Sequence, residues 1–188
     1  MESKKYRYTT ARAVEAEVII TRYLERGKDN VDPIFQKIPE SLERNAYSLD
    51  TGQLDAVKNV LTTRDQFVAW QGVAGAGKTF ALSALCDAAR REGYHFSGFA
   101  PSASAAHVLQ TETAFASRTL ASVLLDERTQ VTGNNRTIYV IDEAGLLSTS
   151  HCAHILAAAM RNGSRVLFVG GRRCGFPKQR HSTGKMCT

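Results

Sequence analysis

Apolar positions along the chain come in two modes, short unbroken runs and longer stretches with one apolar face. Residues 66–70, 94–100, 138–141 and 165–169 are runs rich in aromatic and β-branched types, and they read as strands buried on both faces. The one-faced stretches read as helices. The first covers residues 11–24, with Thr9 or Thr10 as its cap and Gly27 just past its end. A second covers 51–61, where Leu54, Val57, Val60 and Leu61 share a face. Residues 79–91 are rich in helix formers and stop before Gly93. Further helical patterns fall at 104–110, 118–125 and 147–160. Strands alternating with helices across short connections imply a parallel sheet covered on both faces, the α/β class.

Three segments follow from this pattern. Residues 1–46 give an N-terminal helix and a polar connector that carries Pro33 and Pro39, and residues 47–170 give the α/β body. Residues 171–188 form a basic tail with one aromatic residue, Phe176, and almost no aliphatic ones. Such a tail buries too little surface to offset its ordering entropy, so an irregular, disordered segment is expected there.

The 188 residues, 43% of them hydrophobic, suffice for one core. No run approaches the length of a membrane span, and Met1–Arg7 leads into charged sequence and not an apolar signal region. A cytoplasmic protein is expected. The net charge of +6 suggests nucleic acid until it is located: residues 1–143 balance at −1, and everything after them at +7. The basicity therefore belongs to the C-terminal end. Cys86, Cys152, Cys174 and Cys187 form no C-x-x-C pair, and His151 and His154, three apart, have no third ligand type nearby.

Chemistry enters at Gly72-Val73-Ala74-Gly75-Ala76-Gly77-Lys78-Thr79, which fills the pattern G-x-x-x-x-G-K-[ST] directly after an apolar strand and before a helix. Glycines let backbone N–H groups close around phosphate oxygens, Lys78 supplies a point charge, and the Thr79 hydroxyl can ligate Mg²⁺. The plainer alternative is an ordinary glycine-rich strand-to-helix turn. The helix that follows would turn its N–H groups and positive dipole end toward the phosphates. Residues 137–141 then deliver Asp142 and Glu143 at the end of another strand, the place where ligands bind in open α/β sheets. In a phosphate-loop ATPase the first acid completes the Mg²⁺ shell and the second orients or deprotonates water. Alone, the pair could equally be helix-capping acids ahead of Leu146.

With these two motifs in order, the chain resembles superfamily 1 DNA helicases. Leu49-Asp50-Thr51-Gly52-Gln53 is similar to their adenine-reading glutamine motif, Gly98-Phe99-Ala100-Pro101-Ser102-Ala103 to their motif Ia, and Arg118–Leu124 to the segment after it. The likeness is to RecD-like enzymes, in particular to the helicase part of conjugative relaxase-helicases of the TrwC/TraI type, and it covers residues 47–170. The resemblance implies a RecA-like phosphate-loop fold acting as the first motor domain, with ATP and Mg²⁺ bound. It further implies that Gln53 hydrogen-bonds adenine through its carboxamide. Pro101, Ser102 and Thr119 would touch single-stranded DNA, although Ser102 and Ser104 are equally well placed as helix caps.

The match breaks after Gly170. Family members follow the strand corresponding to Val166–Val169 with G-D-x-x-Q, whose glutamine senses the γ-phosphate, whereas here Gly170 is followed by Gly171-Arg172-Arg173-Cys174, without the acid or the glutamine. Pro177-Lys178-Gln179 reads as a displaced remainder of that pattern, which suggests a truncated or frame-shifted gene. The family's second motor domain has no counterpart in this sequence, nor has a relaxase histidine cluster, and the first helix is similar to the segment joining relaxase to helicase. The expected function is thus one half of a helicase's ATP site. A DNA-independent ATPase or kinase, or a non-catalytic remnant, are the alternatives.

Overall fold

The computed structural model describes residues 11–40, 49–72, 77–125, 133–171 and 183–185. Helices α1 (Ala11–Arg26) and α2 (Thr51–Thr62) precede strand β1 (Phe67–Gln71). Helix α3 (Lys78–Arg91) leads to β2 (His95–Ala100), and α4 (Ala103–Thr113) to β3 (Ser117–Thr119). A short α5 (Leu120–Leu125) and β4 (Thr137–Ile141) come next. A 3₁₀ turn (Ala144–Leu146), α6 (Thr149–Asn162), β5 (Arg165–Gly170) and β6 (Thr183–Lys185) complete the described elements. The sheet runs β3-β2-β4-β5-β1-β6 and every pairing is parallel. This is the α/β architecture expected of a RecA-like phosphate-loop domain.

Strand pleating divides the core in two. Val68 and Trp70 of β1, Ile138 and Val140 of β4, and Leu167 and Val169 of β5 turn to one face, against Val57, Val60 and Leu61 of α2 and Leu82, Leu85 and Cys86 of α3. Phe67, Tyr139, Ile141, Val166 and Phe168 turn to the other, against Ile20 and Leu24 of α1 and Ile155 and Leu156 of α6. Burial pushes the Cys86 thiol up to about 12, so it packs as a small hydrophobe. Each fully buried large side chain contributes roughly 1.5–3 kcal/mol of transfer free energy. The close approach of β2 to β3 and α4 requires a residue without a side chain at Gly98, where a Cβ would lie 2.3 Å from Ser117 Oγ of β3 and 2.9 Å from Leu109 Cδ2 of α4.

Two elements depart from the sequence pattern. Arg118 and Thr119, expected to open a helix, instead join Ser117 in β3, because Phe115 stacks on Phe96 and draws the following residues alongside β2 at Gly98–Ala100. Three residues are too few to show alternation. In the tail, Thr183–Lys185 pairs with Ala69–Gln71 along the outer edge of β1, where the backbone ladder itself supplies the ordering that side-chain composition could not signal. The rest of the tail after Gly171 lies outside the described residues.

The amino rim of the sheet is closed by polar side chains. Gln66, fully buried ahead of β1, donates to Ala159 O at 3.0 Å and Ser164 O at 2.7 Å and accepts from Asn30 Nδ2 at 2.9 Å. Arg165, 3% exposed, donates to Thr63 O and Asp65 O, both at 3.3 Å, and to Asp32 O. Burial lowers its pKa, and these carbonyls answer the desolvated charge. Together the two residues tie the connector after α1, the start of β1 and the start of β5 into one end of the molecule. Replacing Gln66 with leucine would leave two buried carbonyls without their donor. We expect Gln66→Leu to cost roughly 2–4 kcal/mol, read as a lower urea midpoint at unchanged slope; an unmoved midpoint would contradict the clamp.

Candidate functional site

Because all strands are parallel, their carboxyl ends share one rim, and the residues singled out by the sequence collect there. Gln71 stands opposite Gly170, Ile141 opposite Phe168, Phe99 opposite Ile141, and Ala100 opposite Thr119. The rim thus presents, strand by strand, Gly72 after β1, Asp142 after β4, Pro101 after β2 and Thr119 at the end of β3.

At the β1–α3 junction the Gly72 N–H donates to Gly170 O at 3.2 Å. Val73, Ala74, Gly75 and Ala76 lie outside the described residues. Gly77 is the N-cap of α3 with φ 62° and ψ 29°, a left-handed conformation that suits glycine, and it provides no side-chain cap to the helix. A Cβ there would also sit 2.4 Å from Gln53 Nε2. An uncapped helix N-terminus aimed at a rim offers N–H groups to an anion. Lys78 opens the helix, and its Nζ reaches back to donate to Gly72 O at 3.3 Å. Thr79 follows, half-buried, in the same first turn.

Gln53 lies beneath this junction and is 8% exposed. Its carboxamide oxygen accepts from Asp50 N at 3.1 Å while its own N–H donates to Asp50 Oδ1 at 2.7 Å, a capping box that starts α2. The glutamine therefore joins the beginning of α2 to the last glycine of the loop.

Across β5, the Asp142 N–H donates to Phe99 O at 2.8 Å, which fixes the exit of β4 against β2. The Asp142 carboxylate accepts from the Glu143 N–H at 2.9 Å. Burial raises its pKa, and the Glu143 hydrogen bond and the charge of Lys78 partly offset that rise. Lys78 and Asp142 are thus within electrostatic reach of each other although they come from strands separated by β5. Glu143 has φ 47° and is exposed, and the 3₁₀ turn closes behind it with Leu146 N donating to Glu143 O at 2.8 Å. A non-glycine residue in the left-handed region is a strained placement of the kind that clusters at functional turns. The Thr79 hydroxyl and the Asp142 carboxylate are hard oxygen donors, the chemistry that Mg²⁺ takes.

Farther along the rim, Ser102 Oγ accepts from Ala105 N at 3.1 Å and Thr119 Oγ1 from Ser122 N at 3.2 Å. Both hydroxyls start helices. Pro101 beside them is half-buried. One contributor escaped the sequence reading, namely Gly170, whose carbonyl holds Gly72. It stood in the sequence just after the strand expected at 165–169, where the G-D-x-x-Q likeness breaks off, and nothing there marked its contact with Gly72.

Comparison with known proteins agrees with this geometry. Residues 48–174 match the family model described as AAA domain. Conjugal transfer protein TraA of Rhizobium radiobacter is 38% identical over 100 residues, covering 53% of this chain and 9% of the relative. A probable conjugal transfer protein TraA of Sinorhizobium fredii is 30% identical over 168 residues, 87% of this chain and 15% of the relative. Multifunctional conjugation protein TraI of Escherichia coli K12 is 29% identical over 165 residues, 83% of this chain and 9% of the relative. The chain spans a small part of each of these much longer proteins. With the family match running from just ahead of α2 to just past β5, over the very elements that build the rim, the chain belongs to the AAA domain family.

Proposed function

We propose that this chain is the ATP-binding first motor domain of an ATP-dependent DNA helicase of the conjugative relaxase-helicase kind. The observation that carries the reading is the convergence on one rim of an uncapped helix N-terminus bearing Lys78 and Thr79 and a strand end bearing Asp142 and Glu143. Residues 72–79 would wrap the phosphates, with Lys78 turning from Gly72 O to a phosphate oxygen. Thr79 and Asp142 would hold Mg²⁺, which neutralises phosphate charge when bound with the nucleotide. Glu143, exposed at the turn, would orient and deprotonate the attacking water. Gln53, under the loop, would meet the adenine edge. Pro101, Ser102 and Thr119 would lie along a single-stranded DNA backbone, and the relatives' printed roles in conjugation support DNA as the polymer. A second motor domain would complete the site from the open side of the rim.

Three measurements test this reading. Lys78→Ala removes a charge-assisted phosphate contact and should weaken ATP binding by on the order of 1.5–3 kcal/mol. Glu143→Gln should keep ATP affinity and lower turnover by about 10²–10⁴-fold; equal affinities in the first case, or equal rates in the second, would remove those assignments. Any ATPase activity should rise when single-stranded DNA is added, whereas turnover indifferent to DNA would make the chain a DNA-independent ATPase or kinase.

Acidity provides another check. Since burial raises the Asp142 pKa from its ordinary value, the Mg²⁺-dependent part of ATP affinity should begin to fall on acidification before an ordinary aspartate would titrate. Calorimetry across pH, with Asp142→Asn lacking that dependence, would show it. A flat profile in the parent chain would argue against Asp142 as a metal ligand.

A further inference from the structure

Gly170 touches both halves of the rim. It is buried at the end of β5, the strand between β1 and β4, and its carbonyl accepts the Gly72 N–H at 3.2 Å. On its Cα side, a Cβ would lie 3.4 Å from Ala144 N, 3.6 Å from Gly145 N and 3.9 Å from Glu143 C. The backbone of the turn that carries Asp142 and Glu143 thus rests on the bare end of β5. Ala144, 4% exposed, is packed into the core beneath that turn, so the turn cannot lift at its middle without exposing apolar surface.

We infer that Gly170 is a positioning residue that sets the height of the Asp142–Glu143 turn relative to the phosphate loop. This rests on the nucleotide-site reading above and adds to it a mechanical link between the loop and the acids. A methyl group at position 170 fills the available gap at ordinary contact distance. Any atom beyond Cβ must push against main-chain amides, which have no rotamer to move aside. The displacement falls on the turn, which is exposed on its outer side at Glu143 and Gly145, and not on the strand, which is paired with Gln71 of β1 at Gly170 itself and with β4 up to Phe168. Asp142 would then be carried away from the metal position while Gly72, still bonded to the Gly170 carbonyl, keeps its place.

The signature is a loss of Mg²⁺-dependent affinity apart from a loss of nucleotide affinity. A fluorescent ATP analogue is titrated into the 188-residue chain in Mg²⁺ and in EDTA, and the ratio of the two dissociation constants is compared across Gly170→Ala, Gly170→Ser and Gly170→Val. Gly170→Val should reduce the Mg²⁺ effect by about tenfold or more, the scale of one lost charged contact, with the EDTA affinity close to the parent's. Gly170→Ser should fall between, and Gly170→Ala, the conservative variant, should restore most of the effect. Thermal unfolding without nucleotide identifies folded variants, and Gly170→Ser carries the test where the valine variant does not fold. A Mg²⁺ effect in the serine and valine variants equal to that of the parent overturns the positioning role. Parent chain that binds no analogue in either buffer overturns the nucleotide reading itself, a distinguishable failure.

Discussion

The pairing of β5 between β1 and β4 is the interaction on which the remainder depends. Neither the strand that leads into the glycine loop nor the strand that ends in Asp142 touches the other directly. Each is registered against β5, Gln71 on Gly170 and Ile141 on Phe168, and only through that shared partner do the loop and the acids come out at matching heights. Parallel connection enforces the same direction on every strand, which is why chemistry accumulates at one rim. Helices on both faces then supply the burial that holds such a sheet together.

Much of this was legible because the elements that build it are long and strongly patterned. The runs at β1, β4 and β5 are apolar on both faces, and the helices between them announce themselves by periodicity and by end residues such as Gly93 just past α3. The spacing of Gly72, Gly77, Lys78 and Thr79 and the Asp142–Glu143 pair could be placed on those elements before any coordinates. What the sequence could not show depends on contacts between residues distant along the chain. Strand β3 exists because one phenylalanine stacks on another across a helix, and β6 because an edge strand offers unpaired backbone groups to whatever segment reaches it. Gly170 carries no signal of its own, since its role is defined by the turn that leans on it.

Several residues serve two purposes, and this shapes how the site is assembled. Gln53 caps α2 while abutting Gly77, and Ser102 and Thr119 start helices at the place where a polymer would pass. A capping hydroxyl is held in one rotamer by its helix, so its oxygen stays in one place while its hydrogen can still turn to a partner. Order needed for folding and order needed for recognition are then supplied by one and the same bond.

The polar closure at the opposite rim has a different consequence. Gln66 and Arg165 bind main-chain carbonyls of the segments that begin β1 and β5, so the strands are anchored where they enter the sheet. At the exit rim, the turn after β4 carries the left-handed Glu143 and an exposed apolar side chain, Leu146 at 69%. Backbone amides should therefore exchange with solvent in a gradient along every strand, slowest at the entry and fastest at the exit.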